Sequence, residues 1–271
     1  MKLRRRSARP ASNGNSAAPW RWAIVGVACG ALLVLLLAAP ARWLGALLAH
    51  ATSGAVQLQQ ASGSVWNGSA RLLLTGGEGS RDRIALPGRV HWRLTPGLGA
   101  LHATLRAECC TPANPIALRV APRWGGAHIG VQQSHSVWPA SLLTGLGTPF
   151  NTLLLHGELQ LDTQPLAIEL AQGRLRLDGQ ASITANRISS RLSTLPALGD
   201  YRVELSGGAT PALRLSTLQG PLLLDGNGQW NGGRLRFSGE AGAAADMEAQ
   251  LANLLNIIGV RRGDKVMLTI G

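Results

Sequence analysis

The spacing of apolar residues changes character near residue 43. From Trp22 to Ala41, twenty consecutive residues carry no charge, and a helix of that length, at about 1.5 Å per residue, spans the roughly 30 Å hydrocarbon core of a bilayer. The run therefore predicts a transmembrane anchor over residues 22–43. Trp20 and Trp22 at its start and Trp43 at its end are predicted to lie at the membrane interface, because indole rings prefer the headgroup level.

Beyond the anchor, apolar and polar residues alternate with a period of two. Leu159 and Leu161, for example, alternate with Glu158, Gln160 and Asp162. Such alternation is typical of antiparallel strands that have one buried and one solvated face. It predicts a mainly β protein, in which a curved or rolled antiparallel β-sheet follows a single N-terminal transmembrane helix. Small turn-forming pairs predict hairpin turns at Asn67-Gly68, Asp178-Gly179, Asp225-Gly226, Asn227-Gly228 and Gly232-Gly233.

The first hairpin is predicted at the start of the sheet. Residues 63–72 place Asn67-Gly68 between two short stretches of strand character, so Trp66, Asn67 and Gly68 are assigned as a structural turn. We expect the Trp66 ring to pack over this hairpin, because a large apolar ring stabilises an otherwise thin edge of the sheet.

Two segments depart from the period of two. Residues 138–147 start with a Trp-Pro pair and end near glycines, which predicts one or two helical turns. Residues 246–258 predict a short C-terminal helix that Asp246 caps and Gly259 ends. Its apolar stripe has two open roles, packing on the domain's own sheet or binding a partner. The stripe consists of Met247, Leu251, Leu254, Leu255 and Ile258.

The basic residues concentrate near the N-terminus. Residues 1–43 hold seven of the 26 basic residues and no acidic residue, which leaves a net charge of +5 for the remaining 228 residues. That modest excess does not favour a nucleic-acid partner. The positive-inside rule places residues 1–21 in the cytoplasm as a basic tail. After the anchor we expect a connector over residues 44–61 and a periplasmic β-rich domain over residues 62–271.

A cleaved signal peptide is the competing interpretation of the apolar run, with residues 39–41 or 49–51 as the cleavage site. The run is longer than the roughly 7–15 residues of a signal-peptide core, and a proline at the site hinders cleavage. We therefore expect an uncleaved inner-membrane anchor that is surrounded by lipid.

Few residues suggest chemistry. Cys29 lies in the apolar run, whereas Cys109 and Cys110 are adjacent. In an oxidising compartment this pair either forms a vicinal disulfide or stays as two reduced or separately paired thiols. His128 and His135 lie near serines, but the sequence has none of the recognised nucleophile, metal or phosphate motifs. We predict no enzyme activity and no catalytic, metal or cofactor site.

Three segments resemble protein N of the bacterial type II secretion pathway: GSVWNGSA at 63–70, SSRLSTLPALGDY at 189–201 and AQLANLLNIIG at 249–259. The layout of a basic tail, one span and a β-rich body is similar too. The resemblance implies an accessory component of the inner-membrane assembly platform of a Gram-negative bacterium. It also implies that the partners are other platform proteins, and that the role is to support export of folded proteins across the outer membrane.

The alternative is a periplasmic lipid-handling or envelope-biogenesis module, because a curved sheet lined by leucines can hold an acyl chain in a groove. The surroundings of the alternating leucines separate the two hypotheses. A leucine face closed by the C-terminal helix is core, whereas an open face is a groove. Half-buried strands show the same alternation, which favours the platform role.

The topology has a direct test. A phosphatase that is active only after export should be active when fused after Gly271, because the β-rich domain is exported. The same phosphatase fused after Arg9 should be inactive, because the basic tail stays in the cytoplasm. A mature protein whose N-terminus lies near Pro40 or Ala41 would replace the anchor with a cleaved signal peptide.

Overall fold

The computed structural model describes most of the chain beyond its N-terminal tail. The described residues are 20–77, 82–111, 113–147, 150–171, 174–208, 210–231, 234–263 and 265–270. Most of the predicted basic tail and the predicted turn at Gly232-Gly233 lie outside them. The chain divides into two compact units, residues 1–39 and residues 40–271.

The described part of the chain has few helices and many strands. The helices are α1 Trp20–Leu37, α2 Ala41–Ala51, the 3-10 helix Ala140–Leu146, α3 Phe150–Leu153 and α4 Glu248–Ile258. The strands are β1 Val56–Gly63, β2 Asn67–Thr75, β3 Arg83–Ala85, β4 Val90–Gly97, β5 Ala100–Ala107, β6 Ile116–Arg123, β7 Gly126–Val131, β8 Ser134–Pro139, β9 Leu155–Thr163, β10 Leu166–Ala171, β11 Arg174–Ser190, β12 Gly199–Gly208, β13 Ala212–Gln219, β14 Leu222–Asn231, β15 Arg234–Ala243, β16 Val260–Arg262 and β17 Lys265–Ile270. The protein is therefore mainly β, which confirms the prediction.

The strands form one antiparallel sheet in which neighbours in sequence are mostly neighbours in space. Its order runs β1–β2–β4–β5–β6–β7–β10–β11–β12–β13–β14–β15–β17–β16. The remaining strands extend this order, since β3 pairs with β2, β9 pairs with β11 and β8 pairs with β9. Short hairpin connections favour this arrangement, because they join antiparallel neighbours directly.

An up-and-down order places alternate connections at opposite ends of the strands. Pro40, the first residue of the sheet unit, bridges to Ser64 in the β1–β2 turn. The β4–β5 and β6–β7 turns lie at the same end of their strands, and we call it the Pro40 end. The 3-10 helix follows β8 and α4 follows β15 at the opposite end, which we call the α4 end.

The apolar core lies on one face of the sheet, which we call the inner face. The core consists of three apolar clusters. On β2, Ala70 belongs to the first cluster, and Leu72 and Leu74 pack against the second, so strand alternation places all three residues on the same face. Trp138 in the second cluster is the cross-strand neighbour of Leu159 in the third. One face therefore carries all three clusters.

Helices cover all three core clusters, and the third is covered by α4 together with Ala140 of the 3-10 helix and Leu153 of α3. Ala41 of α2 is buried in the first cluster, and Leu142 of the 3-10 helix is buried in the second. Full burial of a leucine side chain stabilises a fold by about 1.5–3 kcal/mol. The C-terminal helix thus packs on the domain's own sheet, the first of its two predicted roles. Its buried residues are Leu251, Leu254 and Leu255, which join Tyr201, Leu222, Ala241 and Val266 of the sheet.

The start of the C-terminal helix differs from the prediction. α4 begins at Glu248, and its N-cap position is occupied by Met247 without a side-chain hydrogen bond. Asp246, the predicted cap, is wrong because it lies one residue earlier, in a left-handed backbone conformation with φ +67°. Gly259 ends the helix as predicted.

The turn of the first hairpin lies earlier than the sequence predicts. Ser64, Val65 and Trp66 form the connection, and Asn67 and Gly68 are the first residues of β2. The Ser64 N–H donates to the Asn67 carbonyl at 2.9 Å, and the Asn67 N–H donates to Ser64 Oγ at 3.1 Å. The turn assignment of Asn67 and Gly68 is therefore wrong.

Glycines predicted to form turns serve other purposes in this sheet. The Trp92 ring of β4 packs against Gly68, where a Cβ atom would collide with the ring. Asp225-Gly226 and Asn227-Gly228 lie inside β14, and the Phe237 ring fills the space beside Gly226. Asp178-Gly179 lies inside β11, at a shift in strand register. These predicted turns are wrong because the glycines accommodate aromatic rings or a bulge.

The apolar N-terminal segment forms a helix that is shorter than predicted. α1 is the one helix in the described part of the chain with the length and composition to cross a membrane. It ends at Leu37, and Pro40 interrupts the helical hydrogen bonding before α2. Trp43 consequently belongs to α2. Residues 44–61, predicted as a connector, hold most of α2 and β1.

Trp92 of β4, rather than Trp66, is the buried ring that packs against the first hairpin. Trp92 is 3% exposed and its Nε1–H donates to the Val65 carbonyl at 2.9 Å, whereas Trp66 is half-buried. Trp92→Ala should lower the free energy of unfolding by roughly 3–5 kcal/mol, the cost of removing a buried aromatic ring, and Trp66→Ala should lower it by less. Denaturant unfolding of the detergent-solubilised protein measures both, and equal losses would contradict this assignment.

Candidate functional site

The face of the sheet opposite the core, the outer face, carries a continuous row of polar side chains. The strand register places these residues directly opposite one another on neighbouring strands from β8 to β14. They alternate with the apolar residues of the inner face, as the period of two requires. We call this set the polar row, and it consists of His135, Asp162, Ser182, Glu204, Arg214 and Asn227.

The polar row lines a groove in the protein surface. The groove has a volume of about 1110 Å³, and its walls include the polar residues Gln133, Gln180 and Gln229. Glu204 lies directly opposite Arg214 across β12 and β13, so the groove presents a negative and a positive group side by side. Such a surface recognises a partner through hydrogen bonds and ion pairs more than through apolar burial.

The β8–β9 end of the polar row is a hydrogen-bonded pair. His135 Nδ1 lies 2.6 Å from Asp162 Oδ1, and Gln160 Nε2 donates to Asp162 Oδ2 at 3.0 Å. The hydrogen bond with His135 lowers the pKa of the Asp162 carboxyl below its ordinary value, against the opposing effect of desolvation. Asp162 is therefore ionised at neutral pH and supplies a fixed negative charge to the groove.

The serines beside His135 belong to the opposite face of the sheet. Ser134 Oγ lies 2.8 Å from Thr163 Oγ1, and Ser136 Oγ accepts a hydrogen bond from Trp138 Nε1 at 2.8 Å. Both serines are buried. A nucleophile must reach the histidine that deprotonates it, and strand alternation turns these hydroxyls away from His135. The geometry of this pair suits recognition and does not assemble a triad with either serine.

The three tryptophans predicted for the membrane interface lie on two helices. Trp20 and Trp22 lie in the first turn of α1, and Trp43 lies on the exposed side of α2, one turn before Leu47. Trp43 and Leu47 therefore add an apolar patch to the exposed side of α2, which also carries Arg42 and His50. The placement of these rings at the membrane interface stays a prediction.

The adjacent cysteines lie in the turn that follows β5. The structure joins Cys109 to Cys110 by a disulfide. Cys109 is exposed, whereas Cys110 is buried with Leu86 and Leu142, and its carbonyl accepts a hydrogen bond from the Val137 N–H at 3.0 Å. Oxidation of this pair in the cell stays a prediction. Over the residues that the structure describes, no group of three or more His, Cys, Asp and Glu could hold a metal ion.

The leucine face that separates the two functional hypotheses is closed at one end only. α4 covers the inner face of β12 to β15 at the α4 end. Toward the Pro40 end, the same face carries half-buried residues of these strands, and no described helix contributes to a core cluster there. Lipid handling stays a hypothesis. The residues concerned are Leu205, Leu213, Trp230, Leu235 and Phe237.

Comparison with known proteins identifies the family. The model of the type II secretion system protein N family, T2SSN, matches residues 54–269. The chain belongs to this family. The match covers the sheet from β1 to β17, including the polar row, and leaves α1 outside. No curated protein and no solved structure matches the chain.

Membership of the T2SSN family confirms the resemblance drawn from the sequence. The protein takes part in type II secretion. The T2SSN proteins are components of a secretion system, and the family is not a known enzyme family.

Proposed function

We propose that the protein is an accessory component of the inner-membrane platform of the type II secretion system. Its N-terminus lies in the cytoplasm, and its sheet domain lies in the periplasm and supports export of folded proteins across the outer membrane. The family match over residues 54–269 carries this proposal. α1 fits a single-pass membrane protein, and the basic residues before it favour a cytoplasmic N-terminus.

The proposed partners are other platform proteins of the same membrane, and the polar row is their proposed docking surface. The apolar side of α4 is used in the domain's own core, so it does not bind a partner. The polar row, in contrast, is a groove with ionic groups of both signs. Charges arranged in this way favour a partner with the complementary arrangement and disfavour others.

A charge exchange within the polar row tests this proposal. Glu204→Arg combined with Arg214→Glu keeps two opposite charges facing each other across β12 and β13, so the fold should remain stable. The partner, however, meets each charge with the wrong sign, and like charges across an interface cost several kcal/mol. We expect the exchange to reduce recovery of platform proteins from crosslinked, detergent-solubilised membranes by about tenfold or more, and to reduce secretion.

The matched control places charges on the exposed side of α4. Gln250→Arg with Asn253→Arg alters two exposed polar residues, and such changes seldom shift stability by more than about 0.5 kcal/mol. This control should fold, recover platform proteins and support secretion. Normal recovery with the Glu204 and Arg214 exchange, or lost recovery with the α4 control at an unchanged unfolding temperature, would contradict the assigned docking surface.

A further inference from the structure

We propose that the β4–β5 and β6–β7 turns contact the lipid bilayer beside the span, with Leu98 and Trp124 in the headgroup region. The inference rests on one part of the proposed function, namely that α1 spans a membrane. It adds a second membrane contact, made by the sheet domain itself.

Leu98 and Trp124 are the most exposed large apolar residues in the described part of the chain, with relative exposures of 103% and 104%. Each is the first residue of a two-residue hairpin turn that ends in a glycine, Gly99 or Gly125, with a positive φ. Glycine provides the left-handed conformation that such a turn requires. The position before it usually holds a polar turn residue, and here it holds a large apolar one in both turns.

The strand register places the two turns side by side at the Pro40 end of the sheet. Pro96 pairs with Leu101, and Leu101 pairs with Val120 on the next strand. Leu98 lies two residues beyond Pro96 and Trp124 lies four residues beyond Val120, so the β6–β7 turn projects about two residues, roughly 7 Å, farther than the β4–β5 turn. The turns are separated by about two strand spacings, roughly 10 Å. Leu98 and Trp124 therefore form one staggered apolar projection.

This projection extends beyond the point where the chain enters the sheet unit. The Leu94 N–H donates to the Trp66 carbonyl at 2.7 Å, so Leu94 is level with the β1–β2 turn that Pro40 bridges. Leu98 lies four residues farther along the strand direction, roughly 13 Å at about 3.3 Å per residue.

The chain enters the sheet unit at the same end as the two turns. Pro40 follows Leu37, the last residue of α1, by three residues, and three residues reach at most about 11 Å. A short connection to the proposed membrane segment and the two exposed apolar turns therefore belong to one end of the sheet.

The chemistry of the two turns suits a lipid headgroup region. Residues 95–100 carry no charge, and Arg123 is the only charged residue in residues 121–126. An indole ring combines an apolar body with a polar N–H and favours the interface, and an adjacent arginine attracts anionic lipid phosphates. The exposed Trp43 and Leu47 of α2 add apolar surface close to Pro40.

The test measures the depth of spin labels on the full-length protein in nanodiscs of phosphatidylethanolamine and phosphatidylglycerol. Leu98→Cys and Trp124→Cys are made singly in a Cys29→Ala background and labelled without reductant, so that a disulfide between Cys109 and Cys110 is not reduced. Leu218→Cys is the control, because Leu218 is 46% exposed and lies near the α4 end. The Cys29→Ala parent measures background labelling.

Oxygen concentrates in the bilayer, and a water-soluble nickel chelate stays in the aqueous phase. We expect labels at positions 98 and 124 to have a several-fold higher ratio of oxygen to nickel accessibility than the label at position 218. Water-like ratios at all three positions would overturn the proposal. So would labels at 98 and 124 that are shielded from nickel only after platform proteins are added, because that result assigns the turns to a protein contact.

Failure of this inference is distinguishable from failure of the platform role. The labels are read on purified protein without partners, whereas the platform role is read from partner recovery and secretion. Co-migration of the unlabelled protein with nanodiscs tests the α1 anchor separately. Water-like labels on protein that co-migrates with nanodiscs reject the lipid contact alone.

Discussion

The constraint on which the structure depends is the burial of one apolar face of a long antiparallel sheet. The sheet does not close on a second sheet in the described part of the chain, so its inner face has to be covered by helices. α2 covers the first cluster of that face, the 3-10 helix covers the second, and α4 covers the third together with Ala140 of the 3-10 helix and Leu153 of α3. Because burial of apolar area is the main favourable term in folding, the helices are held by the sheet, and their apolar sides are used inside the domain.

This use of the helices explains why the proposed docking surface lies on the outer face. The helices pack on the inner face, which leaves the polar side chains of β8 to β14 free to line a groove. Register then places residues of different strands, such as His135 and Asp162, or Glu204 and Arg214, directly opposite one another. The site is a consequence of strand pairing, and it requires no loop or inserted element to form.

Much of the fold could be predicted from the sequence because it depends on local periodicity. The period of two gave the strands, and the helical spacing of Leu251, Leu254 and Leu255 gave α4 with its buried side. The turns were less predictable, because the role of a glycine depends on its neighbour across the sheet. Gly68 and Gly226 are needed beside the rings of Trp92 and Phe237, and neither ring is near them in sequence.

The candidate site was not predictable for the same reason. Each member of the polar row looks like an ordinary solvated strand residue, and only the register shows that they share one line across the sheet. Leu98 and Trp124 gave a weak local signal, an apolar residue before a turn glycine. Their pairing at one end of the sheet follows from the register alone.

The central claim is that this secretion protein meets its platform partners through the outer face of its sheet. The most direct test is photocrosslinking in the living cell, with a photoreactive amino acid at Ser182 in the middle of the polar row and, separately, at Asn253 on the exposed side of α4. We expect adducts with other secretion-platform proteins from position 182 and none from position 253. Adducts from position 253 alone would contradict the claim and place the interface on the helix.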